Sequence, residues 1–199
     1  MTEPARLVLV RHARPADAGL RVFGSLDVLL GADGVAQAEQ LIERLADETV
    51  AAVYSSPLVR ALDSALPLAR KLGLEPVIVP GLREIDFGEL EGLTPVELEE
   101  RYPEYLPWTD DPAGVVFPDG ESVADVQRRA HAAIREIVAA HPGETAVVVS
   151  HGVTLRIVLA DALRMPLGAL FRLELSHCGI SIIDWFGERA LVRSVNAEL

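Results

Sequence analysis

Short apolar runs and stretches of helical periodicity alternate along the whole chain. Residues 7–10, Leu-Val-Leu-Val, are continuously apolar and predict a buried strand. Between 34 and 47 the residues Val35, Ala38, Leu41, Ile42 and Leu45 recur at helical spacing and predict an amphipathic helix along that face. Residues 51–54 predict a second strand, 58–72 a helix, and 76–79 a short third strand. Ser122 opens a helix to about residue 140, with Asp125 three positions on, as in a capping box with Asp in place of Glu. Residues 145–149 predict another buried strand and 153–163 the helix after it. The last segment, 172–195, contains two β-rich runs around Phe186-Gly187-Glu188-Arg189, a hairpin pattern.

One segment breaks the rhythm. Residues 103–120 contain Pro103, Pro107, Pro112 and Pro118 with two glycines and several acids, which predicts an irregular excursion serving as a cover. The alternation of continuous apolar strands with helices otherwise predicts an α/β fold: a three-layer α/β/α sandwich around a mostly parallel central sheet. No repeat, low-complexity tract or linker divides the chain, so residues 1–199 read as a single domain.

Composition narrows the function. Half of the residues are apolar but only 5% are aromatic, so the core is built from Ala, Val, Leu and Ile. The formal net charge is −12, and a surface of this sign disfavours nucleic acid and anionic membranes as partners. An anionic small-molecule ligand then requires a local cluster of arginines. Cys178 is the single cysteine, which excludes an intramolecular disulfide, and the apolar run after the N-terminus is too short for a signal or membrane segment. The expectation is a soluble, cytoplasmic protein. Lys71 is the sole lysine, which argues against Schiff-base chemistry.

Ligands of such sheets bind beyond the carboxyl ends of the strands, and there the polar residues concentrate. The first strand runs into Arg11-His12-Ala13-Arg14, the second into Ser55-Ser56-Pro57 with Arg60 one turn on, and the 145–149 strand into Ser150-His151-Gly152. Glu84 follows the third strand. Taken singly, each histidine reads as a hydrogen-bonded structural residue, Arg60 as a solvated helix residue and Glu84 as a surface acid. Arg11 is harder to dismiss, because a guanidinium directly after a buried strand needs a partner.

Competing chemistries lack their residues. The chain has no Gly-x-x-x-x-Gly-Lys-Ser/Thr loop, no Gly-x-Gly-x-x-Gly fingerprint and no Gly-x-Ser-x-Gly elbow. Cys178 has no arginine six residues on, and neither His-x-x-x-His nor paired cysteines point to a metal. A set of His, Arg and Glu remains, which suits phosphoryl transfer without a metal or cofactor.

Six blocks in order resemble the histidine phosphatase superfamily, the phosphoglycerate mutase-like fold. They are Leu9-Val10-Arg11-His12; Gly24-x-x-Asp27-x-x-Leu30-x-x-x-Gly34; Tyr54-Ser55-Ser56-Pro57-Leu58-x-Arg60-Ala61; Leu82-x-Glu84-x-x-x-Gly88-x-x-Glu91-Gly92; Pro118-x-Gly120-Glu121-Ser122; and Val149-Ser150-His151-Gly152. The resemblance implies hydrolysis of small phosphate monoesters through a phosphohistidine. It gives His12 the part of nucleophile, Glu84 of proton donor and His151 of transition-state donor. Arg11, Arg60 and Gly152 become the phosphate site; Ser122 reads first as a helix cap and Glu121 as a polar partner. The resemblance also admits a cofactor-dependent phosphoglycerate mutase, a non-catalytic phospholigand-binding module, and a homodimer.

The chain departs from the family pattern after Arg11-His12. Gly, then Glu or Gln, then Thr or Ser are usual, where this chain has Ala13-Arg14-Pro15; Ala18 stands where Asn is common. The methyl of Ala13 is tolerable at negative φ. Arg14 is a candidate to replace the missing phosphate contacts or to bind a second acidic group of the ligand.

Overall fold

The computed structural model describes residues 3–197. A six-stranded sheet runs in the order β3-β2-β4-β1-β5-β6. The strands are β1 (Ala5–Arg11), β2 (Val50–Ser55), β3 (Val77–Ile78), β4 (Thr145–Ser150), β5 (Ile180–Phe186) and β6 (Arg189–Ala197). β1 pairs in parallel with β4, β4 with β2, and β2 with β3, whereas β5 runs antiparallel to both β1 and β6. The helices are α1 (Ala32–Arg44), α2 (Val59–Leu72), α3 (Pro95–Arg101), α4 (Val123–Ala140) and α5 (Gly152–Leu163). The α/β sandwich with a mostly parallel sheet is therefore observed.

Both faces of the sheet are covered, which is why its central strands carry no polar alternation. On β1, Leu7 and Leu9 enter the layer shared with Ile134 and Ile137 of α4 and Leu155 and Leu159 of α5. Val8 and Val10 point the other way, against Leu41 of α1 and Leu68 of α2. Each such side chain removed from water contributes about 2 kcal/mol, so β1 is pinned from two sides. Its C-terminal end is correspondingly rigid.

Several boundaries and faces differ from the sequence expectation. Val35 is half exposed; the buried stripe of α1 is Gly34, Ala38 and Leu41, continued by Leu45. A Cβ at Gly34 would fall 2.0 Å from the carbonyl oxygen of Arg14, so the helix approaches the segment after β1 more closely than any side chain permits. The third strand shrinks to two exposed residues at the sheet edge. In the C-terminal segment only the part from Ile180 forms the first hairpin strand. Residues Leu167–Arg172 are a 3-10 turn, and 173–179 pass over the strand ends as a strap.

The helix of Pro95–Arg101 was not expected, although Thr94 and Glu97 form a capping box and proline occupies its first turn. The 103–120 excursion is more ordered than its prolines suggest. It contains 3-10 turns at Pro103–Thr109 and Pro112–Gly114, and Trp108 packs edge-on against Phe87, Phe117 and Phe171. This aromatic knot joins Ile85, Leu90 and Val123 with Val153 and Ile157 of α5 in a third cluster. The cover is thus anchored to the helix that begins at the candidate site.

Candidate active site

Because β1, β2 and β4 are parallel neighbours, their C-terminal residues meet at one edge. The register sets Arg11 beside Ser150 and Ser55 beside Val149. The main-chain N–H of His12 donates to Ser150 O at 2.8 Å and that of Ser56 to Val149 O at 3.0 Å. His12 and His151 follow these pairs directly, and their ring centroids lie 5.0 Å apart. Both are almost wholly buried, as are Arg60 and Glu84.

The tautomer of His12 is set by its neighbours. Nδ1 donates to Ala13 O at 2.7 Å, and Nε2 accepts from Nε of Arg60 at 3.3 Å. The ring is neutral, with its lone pair on Nε2. Burial foremost, then the charges of Arg60 and Arg11, push the His12 pKa well below the ordinary 6.5. Ala13 is not among the residues with positive φ, and its methyl is fully buried beside the sheet. Its N–H donates to Ser64 Oγ at 2.8 Å.

Arg60 is only 1% exposed, so it is not the solvated helix residue its position in isolation suggests. Beyond its bond to His12, Nη1 donates to Leu26 O at 2.8 Å and Nη2 to Gly24 O at 2.6 Å. That loop is itself held by Glu91, whose carboxylate accepts from the N–H groups of Gly24, Ser25 and Phe87. Asp27, from the same loop, accepts from Val59 N and so caps α2, whose own N-cap Leu58 has no side-chain acceptor. Arg11 donates from Nη1 to Leu175 O in the strap, while its Nε is buried without a partner among the described residues.

Glu84 is 9% exposed and spans the N-terminus of α5, where backbone donors lack intrahelical partners. Oε2 accepts from Val153 N at 3.0 Å, and Oε1 from Thr154 N and Ile85 N at 3.1 Å each. Arg129 fixes the loop behind it: one guanidinium donates to the carbonyls of Gly81, Arg83 and Glu84 and to both carboxylate oxygens of Glu121. Glu121 also accepts from Asp86 N, and Ser122 caps α4 in a capping box with Asp125. Both fill the structural parts expected of them, helix cap and polar partner.

His151 contacts Ser56 Oγ through Nε2 at 2.7 Å, and its Nδ1 is buried without a partner among the described residues. Burial, then His12 and Arg60, lower its pKa well below 6.5. Gly152 opens α5; a Cβ there would lie 3.1 Å from Nη1 of Arg156 and 3.5 Å from Nε of Arg11, so the glycine lets two guanidiniums approach.

The structure therefore brings Arg11, His12, Arg60, Glu84, His151 and Gly152 together. Arg14 is placed differently: its side chain is exposed and lines a cavity of about 450 Å³ with Arg11, Gln37 and His177. Two further residues border this group. His177, in the strap, lies 5.5 Å from the His12 ring, and burial with Arg11 and Arg14 lowers its pKa to about 4. Arg156 carried a readable signal, four residues after Gly152 on the same helix face.

The chain belongs to the histidine phosphatase superfamily (branch 1), whose family model matches residues 7–198. Among its relatives, a bifunctional protein of Mycobacterium tuberculosis is 38% identical over 97% of this chain, which spans only 54% of that protein. Phosphoserine phosphatase 1 of Hydrogenobacter thermophilus is 33% identical over 96% of this chain and 92% of its own length. A Yersinia pestis protein named "probable phosphoglycerate mutase" is also 33% identical, over 90% of this chain and 85% of its own. The solved structure of mycobacterial glucosyl-3-phosphoglycerate phosphatase with VO3 superposes with a TM-score of 0.89, at 29% identity, covering 97% of this chain and 99% of that one.

Proposed function

We propose that this chain is a phosphatase that hydrolyses small phosphate monoesters through a phosphohistidine at His12. The observation that carries this reading is the tautomer of His12, a neutral imidazole whose Nε2 lone pair faces a buried guanidinium. An imidazole so held is a nucleophile near pH 7. The guanidiniums of Arg11 and Arg60 offset the charge of a phosphate dianion that otherwise repels attack.

In the first half-reaction Nε2 of His12 bonds to phosphorus as the ester P–O bond breaks. The positive charge formed on the ring is stabilised by the Nδ1–H bond to Ala13 O. Glu84 delivers a proton to the leaving oxygen from Oε2, which among the described residues accepts one hydrogen bond and keeps a lone pair for the proton. In the second half-reaction a water attacks phosphorus, Glu84 takes back its proton, and the N–P bond breaks to release phosphate. Ser56 Oγ accepts from Leu58 N, and in this reading it donates its own proton to Nε2 of His151, 2.7 Å away. That order leaves a proton on Nδ1 of His151, free to donate to a phosphate oxygen. Arg14 and His177 border the cavity beside the phosphate, where they contact the rest of the ligand.

The substrate in this reading is a small phosphorylated metabolite of the cytoplasm, and the acidic surface argues against nucleic acid and anionic membranes as partners. The phosphatases among the relatives support hydrolysis. The similarity to a mutase name supports a second reading, transfer of the phosphate to another hydroxyl. Phosphate release from a panel of monoesters in EDTA tests the proposal. Release that disappears in His12→Ala is expected; release that requires added metal, or phosphate recovered only on an acceptor alcohol, contradicts it.

A further inference from the structure

Three guanidiniums close on the space before Glu84. Arg156 and Arg11 meet over Gly152, with Nη1 of the one and Nε of the other at 3.1 and 3.5 Å from where a Cβ would stand. Arg156 is tethered at one point, Nε donating to Leu173 O at 2.8 Å, and its guanidinium lies 5.2 Å from the centre of the Phe171 ring. It is half-buried, and among the described residues its terminal nitrogens have neither a hydrogen-bond acceptor nor an ion-pair partner. Burial acts most on Arg156, and Glu84 is its first charged partner, as it is for Arg11 and Arg60. Glu84 accepts from Val153 N and Thr154 N at the start of α5, and Arg156 follows on the next turn of the same helix, so it stands beside the acid assigned to the leaving group.

Charge counting gives that position a purpose. Arg11 and Arg60 match the two charges of the phosphate, and the terminal nitrogens of Arg156 have no acceptor among the described residues. A half-desolvated guanidinium with an open planar fork recognises a carboxylate in particular. Resting on the phosphatase reading above, we propose that Arg156 determines specificity by pairing with a carboxylate on the leaving alcohol. The favoured substrates are then phosphate monoesters of hydroxy or amino acids, with the Phe171 ring against the guanidinium.

The test compares esters that differ in the carboxylate alone, O-phosphoserine against O-phosphoethanolamine, as the ratio of their kcat/KM values. The wild type favours the carboxylated ester. In Arg156→Gln the ratio falls at least tenfold, and in Arg156→Lys it recovers in part. The ratio is internal to each preparation, so partial unfolding of a variant does not imitate the effect. A wild type without the preference, or a ratio unchanged in Arg156→Gln even where both rates drop, overturns the assignment. Absence of phosphate release from both esters and from nitrophenyl phosphate in the wild type overturns the phosphatase reading instead, and this assignment with it.

Discussion

Nε of Arg60 donates to Nε2 of His12 at 3.3 Å, so the buried cation holds the ring in the form that can attack phosphorus. The same guanidinium is fixed by two loop carbonyls, and the loop by Glu91. Arg60 and the Ala13 carbonyl hold the ring between them, and burial with the charges of Arg60 and Arg11 keeps it neutral. A lysine reaches with a single ammonium and cannot serve three acceptors in a planar fork. Arg60→Lys is expected to lower kcat by about 100-fold or more, the scale of losing a transition-state donor. A kcat within threefold of the wild type contradicts the role of Arg60.

Glu84→Gln carries two separable effects. Without the acid, the leaving group must depart unprotonated, so alkyl phosphates slow far more than nitrophenyl phosphate. Gln also retains one acceptor oxygen for the two N–H groups of Val153 and Thr154, which weakens the start of α5 by about 1 kcal/mol. Steady-state rates on the two ester types, together with a thermal melt, check both. Equal slowing of both esters removes Glu84 from proton transfer.

Acid should destabilise the fold before its carboxylates are protonated. Burial and the surrounding arginines hold His12 and His151 well below 6.5, and His177 near about 4. The unfolded chain binds these protons first, so stability is complete above about pH 6.5 and declines as the pH falls toward the folded values. Urea midpoints measured between about pH 7 and 5 should fall with pH, and His177→Asn should flatten the slope. A midpoint constant across that window contradicts the buried, neutral histidines.

Much of the site was legible because the chemistry sits at strand ends. A continuous apolar run names a buried strand, and in a parallel sheet its C-terminal neighbours must share an edge, which brought His12, Arg60 and His151 together from distant segments. The burial of Arg60 was not legible in the same way. It depends on the Gly24–Leu26 carbonyls, which reach it only through the fold. Arg14 stands two residues after His12, and the turn that α1 closes on through Gly34 leaves its side chain exposed beside Arg11 and His177, a placement set by the fold. The helix of Pro95–Arg101 was missed although its capping box is written in Thr94 and Glu97; the acid-rich composition around it hid a helix with no buried face.

The capping box of Ser122 and Asp125 separates stability from chemistry. The Ser122 hydroxyl accepts from Asp125 N at 3.1 Å, and Ser122 N donates to the Asp125 carboxylate at 3.0 Å. Ser122→Ala is expected to cost about 1 kcal/mol of unfolding free energy, seen as a lower urea midpoint. A variant as stable as the wild type removes the cap from the account of α4.

The central claim is a covalent phosphate on His12, and the most direct measurement is peptide mapping after rapid quenching of the enzyme at alkaline pH during turnover. The account predicts an acid-labile phosphate on the peptide containing His12, present in Glu84→Gln and absent in His12→Ala. Phosphate on another residue, or phosphate release by the His12→Ala variant at the wild-type rate, contradicts it.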